Sequence, residues 1–185
     1  MGSSLSYKKR LLQAGTIAIM LCIPAFLMAQ DKGSPEALMI TADSLYGQGQ
    51  YTEAARLFNQ AAFQYWENES DKKAAEAFEK SLLCNEQIGN KNGKKVILGH
   101  LGQLYYEMDN WNQSIRHFEN QLAIARQQNR KTDIASVLIN LSNVYLASSD
   151  ISRAIKSLEE ASALSAEANH IPLLKNSYAL LAQAY

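Results

Sequence analysis

Apolar residues along most of this chain recur three and four positions apart, the rhythm of one face of a helix. Leu138, Leu141, Val144 and Tyr145 follow it. Ile151, Ile155, Leu158 and Leu164 resume it after a polar break at Ala147-Ser148-Ser149-Asp150. No stretch sustains the two-residue alternation of a half-buried strand. Read along its length, the pattern predicts eight helices, near 35–47, 51–68, 71–88, 93–108, 111–128, 132–148, 151–168 and 172–185. The expected class is all-α. Local punctuation agrees: Ser149 or Asp150 suits an N-cap, Asn129 and Asn169 suit the left-handed residue that ends a helix, and Pro172 suits a first turn.

The same pattern repeats at a longer period. Tyr65, Tyr105, Tyr145 and Tyr185 stand forty residues apart, each preceded at three residues by Ala62, Gly102, Ser142 or Ala182. One step earlier again lie Ala61, Leu101, Leu141 and Leu181. Ala74, Ser114 and Ala154 keep the period, as do Phe78, Phe118 and Leu158, and Gly89 stands where Asn129 and Asn169 do. Agreement at so many offsets marks a repeat protein. Its physical basis is packing: antiparallel helices approach closely where one side is small, aromatic rings fill the space between pairs, and no single pair can bury its own apolar face.

Leu101-Gly102-x-x-Tyr105, Trp111, Ser114 and Phe118 resemble a tetratricopeptide repeat, as do Leu141-Ser142-x-x-Tyr145, Ala154, Leu158 and Ala161. Gly49-x-Tyr51-x-Glu53-Ala54, Phe58 and Ala61 match the second half of the motif. The resemblance covers about residues 35–185. The units exceed the usual length of about 34 residues, and Gln121 stands where a small residue is usual. Ala54–Lys91 has no clean phase, so the helix at 51–68 can be the second of one pair or the first of the next. That stretch is also similar to the soluble NSF attachment proteins, whose work is cytosolic. The resemblance implies an α-α superhelix whose concave face, lined by the first helix of each pair, holds a peptide or helix of a partner. Carried onto this chain, the groove positions are Asn59, Phe63, Gln103, Tyr106, Asn143 and Gln183. The basic clamp that co-chaperones use is missing, because Gly99 or Ile139 fills its lysine place.

Residues 1–29 stand apart. Lys8, Lys9 and Arg10 precede an uncharged run from Leu11 to Gln30, the layout of an export signal. Cleavage after Ala29 is the preferred reading. The alternative is a retained anchor, since the run is about as long as the roughly 20 residues that span a bilayer. Both place the remainder outside the cytoplasm, membrane contact being confined to this segment. Leu21 before Cys22 argues against a lipoprotein signal, and Met1-Gly2-Ser3-Ser4-Leu5-Ser6 fits the myristoylation pattern only by chance. Residues 30–34 form a short linker, and 35–185 the repeat domain.

The 185 residues carry 18 Lys+Arg and 18 Asp+Glu. Losing the three cations of the leader leaves 15 against 18, a net charge of −3. Such a body offers no surface for nucleic acid. Lys91, Lys94 and Lys95 read as a basic turn, and Glu159-Glu160 as a solvated helix face. Cys84 lies in an apolar helical stretch and reads as an inert buried thiol. No phosphate-binding loop and no nucleophile elbow is present, and His100, His117 and His170 are isolated. His100 and His117 can face each other across a hairpin but lack a third ligand. Trp66 and Trp111 read as packing residues. The expectation is therefore a scaffold with no catalytic residue, metal or cofactor. The alternative is the sensory front of a membrane histidine kinase or transcriptional regulator whose effector lies beyond residue 185. Leu173, Leu174, Leu180 and Leu181, in a last helix with no partner, suggest a continuing chain or self-association through that helix.

Overall fold

The computed structural model describes residues 33–185. The predicted signal or anchor, and residues 30–32 of the linker, lie outside the described residues. Eight helices follow one another: α1 (Pro35–Gly47), α2 (Tyr51–Glu67), α3 (Asp71–Gln87), α4 (Lys91–Glu107), α5 (Trp111–Gln127), α6 (Lys131–Ala147), α7 (Ile151–Glu167) and α8 (Ile171–Ala184). No strand occurs among the described residues. The helix expected to begin at 93 begins at Lys91, because Asn90 caps it by accepting a hydrogen bond from the Gly93 amide at 3.0 Å.

From α2 onward the helices start every twenty residues, because one turn is used seven times. Gly49, Glu69, Gly89, Asp109, Asn129, Ser149 and Asn169 all take positive φ, between 51° and 76°. Five of them are not glycine, and each accepts a conformation that costs an L-residue roughly 1–2 kcal/mol. The return lies in the hydrogen bonds. Each left-handed residue donates to the carbonyl three residues back, as Glu69 does to Trp66 at 3.0 Å. The next residue donates to the carbonyl five back: Ser70 to Tyr65 at 2.8 Å, Asn110 to Tyr105 at 2.9 Å, Asp150 to Tyr145 at 2.7 Å. These bonds occupy carbonyls that a helix end leaves unpaired. That second donor then opens the following helix. The side chains of Asn90, Asn110, Asp150 and His170 each accept from the amide three residues on. Hydrogen bonds from the amide and side chain of Arg153 hold the Asp150 carboxyl below its ordinary range.

Consecutive helices pack antiparallel, most extensively within α2/α3, α4/α5 and α6/α7. Small residues sit at the contacts, where Ala61, Ala62, Ala74, Gly102, Ser114, Ser142, Ala154 and Ala161 are buried. Phe58, Phe78, Phe118 and Leu158 fill the space between. Sizes compensate across each pair. A methyl on Gly102 would lie 2.6 Å from the Phe118 ring. One repeat later the same two places hold Ser142 and the smaller Leu158. Gln121, the oversized residue, faces Gly99, where a methyl would lie 2.6 Å from its amide. The Ser114 hydroxyl closes the α4/α5 contact by donating to the Gly102 carbonyl at 2.7 Å.

The evenly spaced tyrosines occupy matching sites in three repeats. Tyr65 and Tyr145 are 5% exposed, beneath Lys73 at 5.1 Å and Arg153 at 4.6 Å. At Tyr105, where Gln113 replaces the cation, the His117 ring stacks at 5.3 Å and 1° instead. Tyr185, just past the end of α8, is 85% exposed. Leu173, Leu180 and Leu181 are half-buried against the second of two core clusters. Cys84 is buried, and desolvation pushes its thiol up to about 11. No helix among the described residues is long and apolar enough to cross a membrane.

Two outcomes follow from this packing. Gly102→Ser should lower stability by about 1–3 kcal/mol through overpacking against Phe118. In a Phe118→Leu background, which recreates the Ser142/Leu158 pairing, the same change should cost much less. Urea denaturation of the four-member cycle measures the difference, and simple additivity would refute the compensation. The second outcome concerns His117, 8% exposed, whose imidazole is held down to about 4 by burial and then by Arg116. The folded state binds this proton less readily than the unfolded chain does. Stability is therefore complete above about pH 6.5 and falls as pH drops toward 4, by up to about 2–3 kcal/mol. His117→Phe, which keeps the ring stack, should lose correspondingly less stability between pH 7 and 4.5 in thermal melts.

Candidate functional site

The helices form two layers joined by contacts that skip one helix. In the even-numbered layer, Trp66 Nε1 of α2 donates to Glu107 Oε2 of α4 at 2.8 Å. Lys95 of α4 meets Asp133 of α6 at 2.5 Å, and α6 touches α8 directly. In the odd-numbered layer, α1 is tied to α3 through Glu36–Lys73 and Asp43–Lys80, and α5 to α7 through Arg126–Glu160. All six groove positions expected from the repeat belong to even-numbered helices.

These six are not equivalent. Phe63 is half-buried between Trp66, Phe78 and the His100 ring, the last at 4.9 Å, and it helps close the α2/α4 seam. Tyr106 is half-buried against Trp111 at 5.5 Å. Gln103 is exposed and donates to Glu107 Oε1 at 2.8 Å, so that carboxylate also receives Trp66. Asn143 is half-buried on α6, and Gln183 is exposed at the end of α8. Asn59 lines a cavity of about 400 Å³ that opens where the first halves of α2 and α4 diverge. Arg56, Asn92 and Val96 form its walls, and Ser81 and Asn85 of α3 form its floor.

That floor is an ordered polar chain. Ser81 Oγ donates to the Ala55 carbonyl at 3.0 Å, Asn85 Nδ2 to the Ser81 carbonyl at 2.8 Å, and Asn90 Nδ2 to Asn85 Oδ1 at 2.8 Å. Gly93 leaves the room this needs, since a methyl there would lie 1.9 Å from Asn85 Oδ1. Asn59 Oδ1, by contrast, is buried with no hydrogen-bond partner in the protein. An unpaired buried acceptor costs roughly 1–3 kcal/mol. Neither Asn85 nor Gly93 was singled out as a site residue from the sequence. The Asn90/Gly93 cap was readable there; the role of Asn85 depends on α3 and α4 crossing.

His100 and His117 find separate aromatic neighbours, Phe63 and Phe78 for one and Tyr105 for the other, and burial lowers both imidazoles. No group of three potential metal ligands occurs among the described residues. Of the basic turn, Lys94 pairs with Glu86 and Lys95 with Asp133.

Several solved structures share this arrangement. Aspartyl phosphate phosphatase F from Bacillus subtilis is 14% identical, with a TM-score of 0.61 over 81% of this chain and 45% of its own. A kinesin light chain-type protein of Podosopora anserina with nearly identical TPR-like repeats is 18% identical, with a TM-score of 0.59 over 81% and 84%. A signal transduction ATPase with numerous domains from Pyrococcus horikoshii, which carries a tetratricopeptide repeat sensor, is 19% identical with a TM-score of 0.56. The match covers 82% of this chain but spans only 27% of that protein. At these identities the likeness is one of fold. No curated protein matches the sequence.

Two family models, each described as tetratricopeptide repeat, match residues 95–167 and 36–65, together more than half of the chain. The first takes α4/α5 and α6/α7 as pairs, whereas the second pairs α1 with α2, so the two matches run in opposite phase along the chain. Helix pairs closed by small residues, recurring at a fixed period and matched twice by the same repeat, establish that the chain belongs to the tetratricopeptide repeat family.

Proposed function

We propose that this chain is a non-catalytic scaffold that holds an extended segment of a partner protein along its even-numbered layer. The observation that carries the reading is the cavity between α2 and α4, lined by the amides of Asn59, Asn85, Asn90 and Asn92. Amides suit a peptide backbone because they donate and accept without selecting a side chain. Gln103, Asn143 and Gln183 continue amide chemistry along α4, α6 and α8, while Phe63 and Tyr106 supply apolar surface. The basic, apolar leader of residues 1–29 supports placing this work in the cell envelope, facing away from the cytoplasm.

A second reading draws on the Pyrococcus protein, in which the repeats are described as a sensor within a much longer chain. On that reading this chain is the sensory region of a membrane histidine kinase or regulator. A further membrane-spanning run and kinase motif encoded after Tyr185 would select it.

The scaffold reading is tested by placing a photo-crosslinking amino acid at Asn59, Asn143 or, as a control, the exposed Lys156 of α7, in cells of the native host. Adducts with one partner protein are expected from the first two positions and not from the third. Adducts confined to Lys156, or none at all, would overturn the proposal. N-terminal sequencing of the mature protein tests export, the expected first residue being Gln30; an intact leader would indicate an anchor.

A further inference from the structure

The odd-numbered layer has three seams, and ion pairs span only two of them among the described residues. Asp43 and Lys80 meet across α1/α3 at 2.9 Å, and Arg126 and Glu160 meet across α5/α7 at 2.8 Å. The forty-residue register puts Leu83 and Asn120 in the α3/α5 seam where Asp43 and Lys80 stand, and Glu86 and Asn120 where Arg126 and Glu160 stand. Asn120 thus replaces both a lysine and a glutamate with an uncharged side chain. Glu86, left without a partner across the seam, turns to Lys94 of α4 at 2.5 Å.

The unlatched seam is open. Two cavities of about 440 and 350 Å³ lie along it, both lined by Glu86, Lys94 and Ile124. The floor is apolar, with Leu82, Leu98 and Ile124, and Leu83 is 48% exposed nearby. The ends are cationic. Lys91 lines one cavity and Arg116 the other; both are exposed, and neither forms an ion pair among the described residues. Glu86 is neutralised by Lys94, and Glu79 accepts the Tyr105 hydroxyl at 3.3 Å rather than pairing with Arg116. Arg116 and Gln127, which lines the far cavity, stand eleven residues apart along α5, about 16 Å.

We propose that the α3/α5 seam is a second docking groove, on the layer opposite Asn59, for an acidic segment of a partner protein that carries aliphatic side chains. The unpaired cations at the two ends select carboxylates, and the leucine and isoleucine floor selects an aliphatic residue between them. A single small anion would meet only one end. Asn85 and Asn90 line both this groove and the Asn59 cavity, but the proposal stands whether or not the reading of the even-numbered face holds.

The test uses the full chain and a fluorescein-labelled peptide of repeating Glu-Glu-Leu units, followed by anisotropy. The peptide is expected to bind, and the counterpart with Gln for Glu to bind at least tenfold more weakly. Lys91→Glu combined with Arg116→Glu should weaken binding tenfold or more. Ala123→Trp, which fills the groove without altering any charge, should do the same, because exposed Ala123 lines it. Asn59→Leu, on the other layer, should leave binding unchanged. Circular dichroism of each variant establishes that the helices remain. Absence of binding by the unaltered chain would overturn the proposal. So would undiminished binding by Ala123→Trp, the sign of a diffuse basic surface, or loss of binding in Asn59→Leu, the sign of the opposite face.

Discussion

The whole architecture depends on ending and restarting a helix within three residues. A left-handed residue turns the chain, and its successor both closes the old helix and opens the new one. Because the device recurs every twenty residues, six successive helices are all seventeen residues long. Equal lengths keep equivalent residues at the same height in every layer. That constancy of height allows one tyrosine site, one small-residue contact and one set of seam positions to be used again in each repeat.

Within that frame, the core is specified pair by pair rather than residue by residue. Gly102 with Phe118 and Ser142 with Leu158 fill one kind of space with different divisions of volume. Gly99 with Gln121 does so elsewhere. A departure from the family pattern, read alone, resembles a defect; read with its partner it is an exchange of volume. Interiors packed to crystal density make such exchanges obligatory.

Helix positions, the period and the turn residues were legible in the sequence, because each rests on local spacing or on backbone conformation. Asn129 and Asn169 announce a left-handed turn by type; Glu69 and Asp109 do not, and only the twenty-residue period would have marked them. The placing of Asn59, Gln103 and Asn143 together on one layer came from the tetratricopeptide resemblance, and all three do belong to even-numbered helices. What could not be read was how open each position would be. Phe63 and Gln103 share one place in the repeat. Yet Phe63 is drawn into the core by Phe78 and His100, while Gln103 stays in solvent beside Glu107. Those neighbours come from other helices, and no spacing within one helix encodes them. Lys94 and Lys95 were similarly read as part of a basic turn, whereas they lie in α4 and each crosses to a carboxylate on another helix.

The uniform turn also bears on how such a chain can change over generations. Since every helix leaves and enters its neighbours by the same hinge, genetic gain or loss of one helix with its hinge would leave all the joints intact. Yet it would exchange the two sides for everything downstream, bringing to the inside what had faced out. The ambiguous phase of α2, which suits either role, is the kind of seam at which an ancestral array could have been reversed in this way without ceasing to fold.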